Sequence, residues 1–152
     1  MNVSEDMIRQ IVREILSEQS PSNQPVENFV KEKDKSGILK IQTDTVICEP
    51  FEQDGVKLKD VVTLDEAPHM GCGIMELDHT DFEWTLVYDE YDLVLEGTLE
   101  IEIDGRVLSA KPGEIIYIPE NSHIHFKTLS KTRYAYFTYP ANWQERLKNK
   151  EK

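Results

Sequence analysis

The chain has 152 residues, with 17 basic against 29 acidic side chains, a net charge of −12 and an isoelectric point near 4.7. That length predicts one domain with room for a proper core, and a field of that sign repels phosphate backbones and anionic lipid, which excludes nucleic acid and membrane surfaces as partners. No run approaches the roughly 18 apolar residues of a membrane span, no apolar secretion leader opens the chain, and Cys48 and Cys72 lack a CxxC spacing, so the expectation is a cytoplasmic protein with reduced thiols.

The first expected element is an amphipathic helix over residues 1–19. Ile8, Ile11, Val12, Ile15 and Leu16 recur at helical spacing, and Glu5, Arg9, Arg13, Glu14 and Glu18 fall mostly off that stripe. Ser4 is the expected N-cap, with Glu5 and Asp6 in the first turn, where the helix dipole favours negative charge. Residues 20–28 follow as a linker, polar and broken by Pro21 and Pro25. A short helix on a linker is marginal in water. Its stripe must dock on its own domain, on a second copy or on another protein.

Residues 29–143 are dense in strand signals. Leu99–Ile103 alternates apolar and acidic residues, so one face is buried and one solvated. Asp104-Gly105 then makes a two-residue hairpin turn into Arg106-Val107-Leu108. Glu114–Ile118 reads as a buried strand stopped by Pro119, and Arg133–Tyr139 as an aromatic-rich strand stopped by Pro140. Many short strands between turns predict a sandwich or barrel. Residues 144–152 read as a tail or short helix whose lysines suit a helix C-terminus.

Two stretches resemble the cupin superfamily. Glu90–Leu99, followed by the Asp104-Gly105 turn, is similar to the end of the first cupin motif, with six residues between Glu90 and Gly97. Pro112–Asn121 is similar to the second, with Gly113 and Pro119 in place and Asn121 where Gly is usual. Asn is the residue that best replaces Gly at positive φ. The resemblance implies an all-β fold: one double-stranded β-helix, a jelly-roll barrel, carrying the short N-terminal amphipathic helix on its linker. The departures fall where a metal would sit. Metal-binding cupins carry an HxH pair three or four residues ahead of the Glu. Here those slots hold Trp84 and Leu86, or Glu83 and Thr85 if a bulge intervenes, and the second-motif histidine falls on Ile124. Only Glu90 remains, and one carboxylate is a weak anchor for a transition metal, so none is expected to be tightly bound. A register slip would aim His123 and His125 into the lumen with Glu90; without it they sit on the rim or surface. His69 and His79 read as loop residues.

Two further strings, Phe82–Glu90 and Tyr139–Trp143, resemble the EutQ family, whose genes accompany ethanolamine-utilisation microcompartments. That resemblance implies a metal-poor cupin, acetate kinase activity with ATP and Mg2+, and a part in microcompartment assembly. It also implies that the N-terminal stripe recruits shell or cargo proteins by helix-in-groove docking, and that the protein is microcompartment-associated. The kinase reading rests on the resemblance, because no GxxxxGK[ST] phosphate loop is present.

Strict alternation puts Trp84, Leu86, Tyr88 and Glu90 on one face. If that face lines the lumen, Glu90 and Tyr88 are the catalytic candidates, and burial raises the Glu90 carboxyl. Otherwise Glu90 is a hydrogen-bonded core residue. Asp89 alternates outward and joins them as a catalytic candidate at the rim, where it and Glu90 are the candidates for holding Mg2+. Trp84, Tyr117, His123 and His125 are the candidate substrate-binding residues. A homodimer is expected, with the aromatic run Tyr134–Tyr139 offering apolar surface to a second copy.

Overall fold

A computed structural model describes residues 5–18 and 28–151. Ser4 and the linker expected at 20–28, apart from its last residue, lie outside the described residues, as do the side chains of Ile15 and Leu16. Helix α1 spans Glu5–Glu18, with Glu5 and Asp6 in its first turn and an i,i+4 pair between Arg9 and Glu5 at 3.1 Å.

The strands follow in chain order: β1 (Lys31–Lys33), β2 (Leu39–Ile41), β3 (Glu49–Pro50), β4 (Val56–Asp60), β5 (Gly71–Thr85), β6 (Asp89–Gly97), β7 (Leu99–Ile103), β8 (Arg106–Ala110), β9 (Ile115–Ile118) and β10 (His123–Tyr139). Helix α2 (Trp143–Lys150) closes the described chain. β1 and β2 make a small separate ribbon. All other pairings are antiparallel, in the order β3-β4-β5-β10-β6-β9, with β7 bonded to β10 and β8.

The barrel is built by its two long strands. The second half of β10 pairs with the first half of β5 and with β6, whereas its first half pairs with the end of β5 and with β7. A bulge between Thr128 and Lys131 separates the halves, the second paired with β6 and the first with β7. Ile124, Phe126, Tyr134 and Tyr136 stay on the inner side, and with Leu77, Leu86, Val94, Leu99 and Ile101 they fill the core. The expected hairpin is present: Asp104 and Gly105 both have positive φ, 50° and 75°, and join β7 to β8. Asn121 also adopts positive φ, at 72°.

A second, smaller core lies outside the barrel. Phe29, Ile41, Val46 and Cys48 lay the segment before β3 over Ile74, Ala135 and Phe137 on the outer sheet face. Arg133 fastens it, pairing with Glu76 and donating to the Thr43 and Val46 carbonyls at 2.6 and 3.1 Å. Burial, then the negative charge of Glu76 beside Cys48 and of Asp60 beside Cys72, keeps both thiols protonated, each being pushed up to about 11.

Two expectations are corrected. β9 is not a buried strand. Among the described residues it pairs only with β6, and Ile115 and Tyr117 are 63% and 50% exposed, because this edge strand has one face on the core and one in solvent. The aromatic run of β10 is not a free surface either: Tyr134 and Tyr136 are buried in the barrel's own core, and only Tyr139 at the end of the run is exposed. Among the described residues, no helix is long and apolar enough to cross a membrane.

Candidate functional site in the barrel lumen

Alternation along β6 sends Asp89, Tyr91 and Leu93 outward and Glu90, Asp92 and Val94 inward. The strand is interrupted between Thr85 and Asp89, yet Trp84, Leu86, Tyr88 and Glu90 all still face the lumen. The Trp84 indole N–H donates to the Tyr88 hydroxyl at 2.9 Å. Trp143 closes the wall, its ring 5.7 Å from that of Tyr88 and 6.4 Å from those of Phe51 and Tyr136. The remaining cavity is about 20 Å³, room for a water molecule. Thr138, opposite Glu90 in the β10 register, lines it with a buried hydroxyl that has no partner.

The position of Trp143 is set by a polar clasp. The Tyr136 hydroxyl donates to one carboxylate oxygen of Asp60 at 2.5 Å, and the Gln144 amide to the other at 3.1 Å. The Ala141 amide donates to the His69 carbonyl at 3.1 Å, and Arg146 pairs with Glu120 at 2.8 Å. Helix α2 is thereby held across the mouth of the barrel. Beside it lies a surface hollow of about 410 Å³ that shares Phe51, Trp84 and Trp143 with the lumen wall.

The electrostatics follow from burial. Glu90 is 4% exposed and Asp92 0%. Desolvation raises the Glu90 carboxyl to about 7, partly offset by the neighbouring Asp92 carboxyl. Desolvation, then the charge of Glu90, pushes Asp92 well above the ordinary carboxylate range. Burial and Glu90 also raise the Tyr88 phenol, which stays a neutral hydroxyl.

The other expected residues are not gathered here. Asp89 faces outward, so it and Glu90, on opposite faces of β6, do not converge on one Mg2+ ion. Asp89 instead accepts hydrogen bonds from the Tyr117 hydroxyl at 3.2 Å and the Glu120 amide at 2.8 Å, which fastens the turn after β9. Tyr117 lies outside the lumen, packed against Tyr91 with the rings tilted and their centroids 4.8 Å apart. His123 and His125 also point outward. His123 pairs with Glu83, and His125 with Asp81 at 2.7 Å, while Ile124 between them fills the inner slot. No register slip occurs. The inner positions that hold imidazoles in metal-binding cupins are therefore apolar or aromatic, a poor donor set for a transition metal. Among the described residues, no three His, Cys, Asp or Glu side chains converge as metal ligands.

Asp92 and the Asp60–Tyr136 clasp were not singled out from the sequence. For Asp92 the signal was present, since the alternation that turns Glu90 inward continues to it. For Asp60 there was none, because its partners lie 76 and 84 residues away.

A family model described as ethanolamine utilisation protein EutQ matches residues 2–145. The chain belongs to the EutQ family. It is 43% identical over 149 residues to the protein named acetate kinase EutQ of Clostridioides difficile strain 630, covering 93% of this chain and 95% of that one. It is 35% identical over 146 residues to acetate kinase EutQ of Escherichia coli K12, covering 93% of this chain and 63% of the relative's length. Among solved structures, the EutQ protein of Clostridium difficile superposes with a TM-score of 0.74 at 46% identity, covering 78% of this chain and 92% of that one. The cupin domain of Cnp3 from Schizosaccharomyces pombe, 13% identical with a TM-score of 0.56 over 72% of this chain and 80% of its own, shares the fold alone. This EutQ-family chain is thus a cupin barrel of ethanolamine utilisation.

Proposed function

We propose that this chain is an acetate kinase of ethanolamine catabolism, cytoplasmic and microcompartment-associated, transferring the γ-phosphoryl group of ATP to acetate. The observation that carries the reading is the 43% identity, over nearly the full length of both chains, with a relative named acetate kinase. The lumen suits the acceptor. A carboxylate needs no deprotonation before it attacks phosphorus, so the protein's task is binding and orientation. Protonated Glu90 donates a hydrogen bond to one acetate oxygen beside Tyr88, leaving the other as nucleophile. A bond from that oxygen to the γ-phosphorus forms, the bond to the bridging oxygen breaks, and ADP departs. Acetate outsizes the cavity of about 20 Å³, so entry requires Trp143 to give way toward the adjoining hollow, from which ATP approaches with its own Mg2+.

Purified protein with ATP, acetate and Mg2+ is expected to form acetyl phosphate, trapped as the hydroxamate. Glu90→Ala is expected to lower kcat/KM for acetate by about 100-fold. Above pH 7 Glu90 ionises and ceases to donate, so KM for acetate rises with pH. No product above the blank, or a Glu90→Ala variant equal to wild type, sinks the reading.

A second reading, a non-catalytic assembly factor, is favoured by α1, whose Ile8, Ile11 and Val12 are about half exposed, at 51%, 47% and 47%. Removing residues 1–19 is then expected to abolish co-localisation with shell protein. Unchanged localisation counts against it.

A further inference from the structure

Asp92 stands two residues beyond Glu90 on the same inward row of β6 and is fully buried. Neither of its carboxylate oxygens has a donor. Two residues apart on the inward face of one strand, the two buried carboxyls are neighbours. A carboxylate only accepts, so two ionised groups here leave those oxygens unsatisfied. Among the described residues, the groups facing the pair bring no positive charge. Tyr88 precedes β6, Tyr134, Tyr136 and Thr138 come from β10, and Asp60 ends β4. Two neighbouring anions buried without a cation are strongly disfavoured. A proton between them supplies the missing donor.

We infer that Asp92 shares one proton with Glu90 and is the positioning residue that decides when Glu90 offers a hydrogen-bond donor to a carboxylate in the lumen. The inference rests on the lumen being the carboxylate site. With one shared proton the lumen carries a single negative charge. An entering carboxylate would add a second. It therefore binds together with a proton from solvent, which ends on the pair and leaves both side-chain carboxyls neutral.

The chain's only two tryptophans, Trp84 and Trp143, both border the lumen, so intrinsic fluorescence follows the pair without any need for turnover. In wild type a fluorescence transition is expected near pH 7. Glu90→Gln removes it. Asp92→Leu removes the carboxyl proton that satisfies the Glu90 anion, so the transition moves up by about one pH unit or more. Acetate affinity of wild type, read by the same fluorescence, falls about tenfold per pH unit above the transition, and in Asp92→Leu that fall begins at higher pH. An unmoved transition in an Asp92→Leu variant with wild-type circular dichroism overturns the inference. Should that variant not fold, carboxyl 13C resonances of the wild type decide: Glu90 and Asp92 titrate together if they share a proton, and independent titrations overturn it. A shifted transition in a protein that makes no acetyl phosphate sinks the kinase reading alone. Acetyl phosphate formation with an unshifted transition sinks the shared proton alone.

Discussion

Glu90→Gln is expected to stabilise the barrel at pH 8 and to change it little at pH 5. In the unfolded chain this carboxyl titrates near 4.5, and in the barrel burial raises it to about 7. Between those values the folded state holds a proton that the unfolded state has released, so stability falls as pH rises. The loss begins above pH 4.5 and is complete above pH 7, where both states are ionised and the folded one carries a buried charge. Its size is on the order of 2–3 kcal/mol between pH 5 and pH 8. Glutamine fills the same space and never ionises, so it escapes the penalty. Thermal unfolding of the two proteins at both pH values checks this: a gain of roughly 5–10 °C is expected at pH 8. Equal midpoints at pH 8 would mean that Glu90 is not a desolvated acid. The same substitution removes the titrating group that the proposed acetate site uses, which places stability and function in opposition at one residue.

Gly97→Ala is expected to destabilise the fold by about 3 kcal/mol, measured by urea unfolding. Gly97 ends β6 at φ 71°, beside the irregularity where β6 pairs with β10, and a Cβ there would lie 1.9 Å from the Lys131 carbonyl oxygen. Two costs add. Left-handed backbone disfavours any L side chain by about 1–2 kcal/mol, and the clash is with main chain of the β10 bulge, which has no rotamer to move. Gly113→Ala separates the two. That glycine has φ 88° with nothing within 4 Å of the added Cβ, so only the backbone cost applies. A loss at Gly97 no larger than that at Gly113 would show that the bulge yields, and that the close approach is not what keeps glycine there.

The local devices of this fold were legible in the residues. Alternation and the Asp104-Gly105 turn marked the β7–β8 hairpin, positive φ at Asn121 followed from its side chain, and the helical stripe marked α1. The spacing of Glu90, Gly97, Gly113 and Pro119 pointed to the cupin barrel, and the Trp84–Tyr88–Glu90 row to its lumen. Misreadings arose where burial depends on neighbours far along the chain. Ile115-Ile116-Tyr117-Ile118 has the composition of a central strand, but its place at the sheet edge depends on strand order. The same holds for Tyr134 and Tyr136, whose rings fill the core because β10 is flanked on both sides.

The site divides along the same line. Period-two alternation is a property of the chain itself, and it was enough to turn Glu90 inward and Asp89 outward once β6 was recognised. The register of β10 was not, since a shift of one residue exchanges its faces. Pairing with β5 settles it, opposing Ile124 to Trp84 and His125 to Glu83, so the histidines go to solvent and the metal slot to isoleucine. Likewise, only the folded barrel brings Trp143 over the lumen and, among the described residues, sets no cation beside Glu90 and Asp92. An isolated strand leaves those carboxyls in water as ordinary acids. Closing the barrel removes the water, and that desolvation makes them a pair that must hold a proton.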